Sequence, residues 1–274
     1  MADLTATRLI LVGCGKMGSA MLRGWLARGL APDHAVVVEP AGPPAADLAG
    51  AGLQHVAGPA DLPAGFIPDA VILAVKPQMM DGAIGDYARF TRPETLFLSI
   101  AAGKTIAYFE RHLGKNAAIV RAMPNTPAAI ARGISVVVAN PHVTPAEHAL
   151  ADDLLAACGE VAWVMEEGLI DPVTALSGGG PAYVFLLIEA LAEAGRKAGL
   201  PADLAMRLAR VTVSGAGELA RQSTESAAEL RQNVTSPKGT TLEALNVLMA
   251  PDGIQPLFDR AIAAATRRSR ELAS

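Results

Sequence analysis

The chain has 274 residues, 51% hydrophobic and 18% charged, with a formal net charge of −4. That length holds one large domain or two ordinary ones, and the mild acidity argues against a nucleic-acid binder, which shows a basic patch or stripe. The start, Met1-Ala2-Asp3-Leu4, lacks the marks of a signal peptide, and no uninterrupted apolar run is long enough to cross a bilayer.

The first apolar run, Leu9 to Val12, leads into Gly13-Cys14-Gly15-Lys16-Met17-Gly18, and an amphipathic stretch follows to Arg28. This reads as strand, glycine turn and helix. Gly13 permits the tight turn, Gly15 lets backbone approach a pyrophosphate, and Gly18 lets the helix pack on the strand. The helix N-terminus offers free N–H groups and a positive dipole end to phosphates. Val36 to Val38 is a second strand, closed by Glu39. A carboxylate there typically accepts hydrogen bonds from the adenosine ribose and repels a 2′-phosphate, which favours NADH over NADPH. The segment from Pro40 to Gly52 is a low-complexity Ala/Gly/Pro stretch.

Ala70 to Val75 is fully apolar and ends at Lys76-Pro77. Leu96 to Ile100 ends at Ala101-Ala102-Gly103. Ala117 to Val120 precedes Met123-Pro124-Asn125-Thr126-Pro127. Continuous rather than alternating apolar runs suit strands buried on both faces of a parallel sheet. Ile134 to Ala139 and Val161 to Val164 look like strands added at the far edge. The fold class expected is α/β: a Rossmann-type doubly wound sheet over residues 1–166, then an all-helical domain over 167–274. Ligands of such sheets bind beyond the carboxyl ends of the strands. Four of these segments end there, Gly13 to Gly18, Ala74 to Pro77, Ile100 to Gly103 and Met123 to Pro127, and together they favour a bound dinucleotide.

Two cysteines, Cys14 in the turn and Cys158 on a helix, make neither a disulfide framework nor a metal spacing. The five histidines, His34, His55, His112, His142 and His148, read as surface or loop residues. No metal site is expected, and a soluble cytoplasmic protein is the economical reading.

After about Glu166 the strand signals stop. Helices are expected over Pro181–Ala198, with Gly199 as the stop, and over Pro201–Gln222, Ser226–Val234, Thr241–Met249 and Ile254–Leu272. They are rich in Ala, Gly and Leu and poor in charge on more than one face. Such helices bury two faces, here expected against a second subunit. Between two of them lies Val234-Thr235-Ser236-Pro237-Lys238-Gly239-Thr240-Thr241. Hydroxyls, a lysine and backbone N–H groups at a helix start make a carboxylate cradle; equally, Thr240 or Thr241 is an ordinary N-cap.

Together the segments Gly13–Gly18, Ala74–Gln78, Ser99–Gly103, Met123–Pro127, Ser177–Tyr183 and Val234–Thr241 resemble the pyrroline-5-carboxylate reductase family. The resemblance implies hydride transfer from NAD(P)H to the C=N carbon of Δ1-pyrroline-5-carboxylate, giving L-proline. It also implies a homodimer through the C-terminal helices, stacked in some members into a decamer, with one subunit's nucleotide domain serving its partner's helices. By the same matches Val12, Gly13, Cys14, Gly15, Lys16, Met17, Gly18, Ala74, Val75, Lys76, Pro77, Ile100, Ala101 and Ala102 line the cofactor with Glu39, Asn125 lies near the nicotinamide, and Glu167, Asn233, Gly239, Thr240 and Thr241 face the substrate. Thr241 and Ser236 are the candidate catalytic hydroxyls, with Thr241 bonding the ring nitrogen. An imine carbon is already electrophilic, so orientation is the protein's main task, worth about 7–11 kcal/mol.

Two residues depart from the pattern. Lys238 stands where the family commonly has glycine, which is strained if the turn needs φ > 0. Gly179 stands where the family usually has serine. Competing readings are a reductase of another cyclic imine and a non-enzymatic NAD-responsive protein. A β-hydroxyacid dehydrogenase would need a lysine on the first long C-terminal helix, and Pro181 to Glu193 has none.

Overall fold

The computed structural model describes residues 4–273. An eight-stranded sheet runs in the order β3-β2-β1-β4-β5-β6-β7-β8. Its strands are β1 (Leu9–Val12), β2 (Ala35–Val38), β3 (Gln54–Val56), β4 (Ala70–Leu73), β5 (Leu96–Ser99), β6 (Ala118–Met123), β7 (Gly133–Ala139) and β8 (Gly159–Trp163). All neighbours pair in parallel except β6 and β7. The chain direction across the sheet reverses between β1 and β4, which is where a doubly wound sheet opens its ligand crevice.

The helices are α1 (Lys16–Ala27), α2 (Ala46–Ala49), α3 (Met80–Ala83), α4 (Ile106–Leu113), α5 (Pro145–Ala156), α6 (Ile170–Val173), α7 (Gly180–Lys197), α8 (Ala202–Gln222), α9 (Ala227–Asn233), α10 (Thr240–Leu248) and α11 (Ile254–Ala273). The central strands are buried at every position because helices cover both faces. Leu9, Leu11 and Ile72 face Met21, Leu22 and Trp25 of α1 and Leu154 of α5. Ile10, Val71 and Phe97 face Ile84, Tyr87 and Phe109. The Trp25 ring nitrogen donates to the Leu154 carbonyl at 2.8 Å, locking α1 to α5.

Four expectations need correction. The chain has a strand, β3, at the sheet edge that carries almost no apolar signal, because Gln54 and His55 make up two of its three residues. β6 continues three residues past Val120, since Arg121 is buried rather than exposed. Cys158 lies in the turn after α5, not on the helix, and its backbone carbonyl accepts from Gly133 N. Residues 167–197 form a helical run that contains an 18-residue stretch of mean hydropathy 1.4, long and apolar enough to cross a membrane by length and composition. The Ser177 to Pro181 segment, rich in glycine, hides that length in the sequence.

The chain forms two compact units, Met1–Gly178 with Ala265–Ser274, and Gly179–Ala264. The sequence-based division after residue 166 and this contact boundary enclose residues 167–178 between them. Residues 167–178 stay with the sheet because Glu167 bonds to Arg121 and Ile170 packs with Val136 and Val138. The end of α11 returns to the same unit, where Ser269 Oγ donates to Asp171 Oδ1 at 2.7 Å. In the second unit α7 and α8 form a helical hairpin. It is closed by Gly199 at φ +100, and Gly195 lets α7 approach Ala205.

Candidate active site

The β1–α1 turn has the geometry of a phosphate cradle. Gly13 is at φ +89, and a Cβ there would strike the Ala74 carbonyl oxygen at 2.9 Å. At Gly18 a Cβ would lie 2.3 Å from the Gly13 oxygen, so the helix can start this close to the strand only with glycine. A Cβ at Gly15 would meet nothing within 4 Å. Open space thus lies before α1, whose N-cap, Gly15, makes no side-chain cap. The first-turn N–H groups are left for an anion.

Glu39 stands at the end of β2 beside this turn. Its Oε2 accepts from Cys14 N at 2.8 Å and its Oε1 from Ala41 N at 3.1 Å. Each oxygen keeps a second acceptor site for a hydroxyl. Burial, and after it the Glu39 charge, push the Cys14 thiol above its ordinary value, with Arg23 opposing.

Ala74, Val75, Lys76 and Pro77 leave β4, and Ile100, Ala101 and Ala102 leave β5, at the same edge as Gly13. Ala101 N donates to the buried Ser99 hydroxyl at 3.2 Å, which shapes the second of these straps. Asn125 follows β6. Its Oδ1 accepts from Ile134 N at 3.0 Å and its Nδ2 donates to Ser177 Oγ at 3.3 Å, so the amide is held from both ends.

In the second unit, the Val234–Thr241 segment turns sharply at Lys238, φ +60. That is left-handed backbone carried by a non-glycine residue. The N-cap of α10 is Gly239, with no side-chain cap, so neither Thr240 nor Thr241 caps the helix. Among the described residues no side-chain hydrogen bond engages the Ser236, Thr240 or Thr241 hydroxyls. An open helix start beside free hydroxyls can hold a carboxylate and donate to a nitrogen. Asn233 is turned to Glu225, with Nδ2 donating to Oε1 at 2.9 Å.

The comparisons with known proteins cover nearly the full chain. Residues 167–272 match the family described as pyrroline-5-carboxylate reductase dimerisation, and residues 8–103 match NADP oxidoreductase coenzyme F420-dependent. A pyrroline-5-carboxylate reductase of Pseudomonas aeruginosa is 40% identical over 271 residues, 98% of each chain. The chain belongs to the pyrroline-5-carboxylate reductase family. The solved reductase of Coxiella burnetii superposes with TM-score 0.88 at 34% identity, over 98% of this chain and 99% of that one. The Plasmodium falciparum pyrroline carboxylate reductase with NADP bound gives 0.83 at 28% identity, over 98% and 99%.

Against the family's pattern, the nucleotide unit gathers Val12 to Gly18, Glu39, Ala74 to Pro77, Ile100 to Ala102 and Asn125 at the carboxyl edge of the sheet. Asn233, Ser236, Gly239, Thr240 and Thr241 cluster in the helical unit. Glu167 belongs to the nucleotide unit, where its Oε1 is taken by Ile106 N and by Arg121 Nη1, both at 2.8 Å. That oxygen caps the start of α4; only the other is uncommitted. Sequence reasoning missed Arg121 and Ser177 as supports of the site. A charge in the otherwise apolar β6 run was the available signal for Arg121, whose side chain is 4% exposed.

Proposed function

We propose that this enzyme reduces Δ1-pyrroline-5-carboxylate to L-proline, the closing step of proline synthesis, with a nicotinamide cofactor. The observation that carries the reading is the uncapped α10 start with the unbonded Thr241 hydroxyl, in a chain matching the family over nearly its full length. The residues present fit the cofactor: the space before Gly15 and the uncapped α1 suit a diphosphate. When bound, the dihydronicotinamide supplies the hydride. Lys16, Met17 and Gly18 present α1's first N–H groups to the phosphates. Asn125, fixed at both ends of its amide, borders the nicotinamide. Backbone N–H groups of Thr240 and Thr241 hold the substrate carboxylate. The Thr241 hydroxyl bonds the ring nitrogen, with Ser236 beside it, and the uncommitted Glu167 oxygen faces the substrate.

The Glu39 carboxylate supports NADH over NADPH, because a 2′-phosphate would meet its charge at the end of β2. The match to a dimerisation domain, with Phe185, Leu186 and Val211 each at least 60% exposed, supports a homodimer, with a decamer as the larger assembly. By the same support, the apolar run over 167–197 meets a second copy rather than lipid. The free thiols Cys14 and Cys158 support a cytoplasmic location, and the net charge supports a small-molecule ligand over nucleic acid. The test follows NADH and NADPH absorbance separately as the protein meets the imine. Rapid oxidation of NADH, with higher kcat/KM than for NADPH, is expected. Protein that binds cofactor yet oxidises neither would overturn the assignment.

A further inference from the structure

Beyond the residues that line the crevice, a polar cluster joins the two straps that leave β4 and β5. Asp81 stands in the first turn of α3, just after Lys76-Pro77. Lys104 stands just before the N-cap of α4, after Ala101-Ala102-Gly103, and Tyr108 stands in the first turn of that helix. One oxygen of Asp81, Oδ1, accepts from Lys104 Nζ at 2.9 Å and from the Tyr108 hydroxyl at 2.5 Å. The Lys104 ammonium also lies 4.2 Å from the Tyr108 ring centre, and His112 packs against that ring at 4.5 Å. The arrangement is therefore closed: a carboxylate, an ammonium and a phenol, each touching the other two.

Its two ends differ in burial. Tyr108 is 8% exposed and part of the core beneath the sheet, so it is a fixed post. Asp81 has a side chain 67% exposed and fills no space in the core. The hydrogen bonds from Tyr108 and Lys104 hold the Asp81 carboxyl below its ordinary value, which keeps it charged. An exposed ion pair adds little to stability. A bond that fixes the spacing of two ligand-bearing loops acts instead on ligand affinity, because ordering those loops is part of the cost of binding.

We propose that Asp81, Lys104 and Tyr108 form a tie that sets the spacing of the two cofactor straps, making Asp81 and Tyr108 positioning residues for the nicotinamide nucleotide. The inference rests on the proposed nucleotide reductase reading. None of the three touches the reacting atoms. The tie holds Lys76-Pro77 and Ile100-Ala102 at the separation the bound nucleotide needs. Without it the straps reorder at each binding event.

The experiment titrates NADH and NADPH against the full-length protein by fluorescence, without imine, for wild type, Asp81→Ala, Tyr108→Phe and the double variant. Turnover of Δ1-pyrroline-5-carboxylate at saturating cofactor and the thermal midpoint are measured beside it. Asp81→Ala should weaken cofactor binding about tenfold, with kcat within twofold and the midpoint nearly unmoved. Tyr108→Phe should weaken it several-fold. The double variant should be no weaker than Asp81→Ala, because both changes cut the same tie. Unchanged affinity in Asp81→Ala, or strictly additive losses, overturns the proposal, as does a wild type that binds neither cofactor. Intact cofactor effects in a protein that leaves the imine untouched would sink the substrate reading alone.

Discussion

At the scale of single residues, Lys238 and Thr241 invite opposite changes. Lys238 holds φ +60 without being glycine. The left-handed conformation costs an ordinary residue roughly 1–2 kcal/mol, and glycine's freer unfolded chain offsets about 0.4–1 kcal/mol of any relief. Lys238→Gly should therefore raise unfolding stability by about 0.5–1 kcal/mol, read from the urea midpoint; no gain would refute the strain. Thr241 is different, because among the described residues no side-chain hydrogen bond engages its hydroxyl. Thr241→Ala should lower kcat/KM for the imine at least tenfold, while cofactor affinity stays within twofold and the melting temperature holds. An unaltered rate would remove Thr241 from the site. The strain at Lys238 was legible through the resemblance alone, because the family commonly has glycine where this chain has lysine. Arg121 was not, because the carboxylate that makes its burial tolerable lies 46 positions away at Glu167.

Among the elements, α5 shows how much a local signal can fix. Thr144 accepts from Glu147 N, and the Glu147 carboxylate accepts from Thr144 N at 2.7 Å, a closed capping box with Pro145 in the first turn. Thr144→Ala should cost about 1 kcal/mol, seen as a lower denaturation midpoint with unchanged cofactor affinity. A loss well below that would mean solvent serves the helix start equally well. Legibility followed burial. Strands covered on both faces, such as β1 and β4, stand out as unbroken apolar runs. β3 is an edge strand with one covered neighbour, and its Gln54 and His55 look like loop. The start of α10 was legible as a helix start but not as an uncapped one, since threonines there fit either role. Only the backbone shows that the cap is Gly239.

For the molecule as a whole, the helical unit carries large apolar side chains that lie exposed. Phe185 is 60% exposed, Leu186 62% and Val211 64%. Together such residues make a surface that soluble monomers rarely leave bare. Sedimentation equilibrium should give at least twice the 28.2 kDa chain mass across the micromolar range. A single-chain mass independent of concentration would exclude the dimer. The order of the two units along the chain has a further consequence, for synthesis. The nucleotide unit is interrupted: Gly179–Ala264 is inserted before Ala265–Ser274 completes it. Until that tail exists, Asp171 lacks Ser269 and the Gly103 turn lacks the Leu272 backbone packed against it. At ~5–20 residues per second, the delay after Gly178 is on the order of 5–20 s. A nascent chain halted inside the helical unit should carry a nucleotide fold whose second strap is still unsupported, so competence to bind cofactor arrives only after α11 has been made.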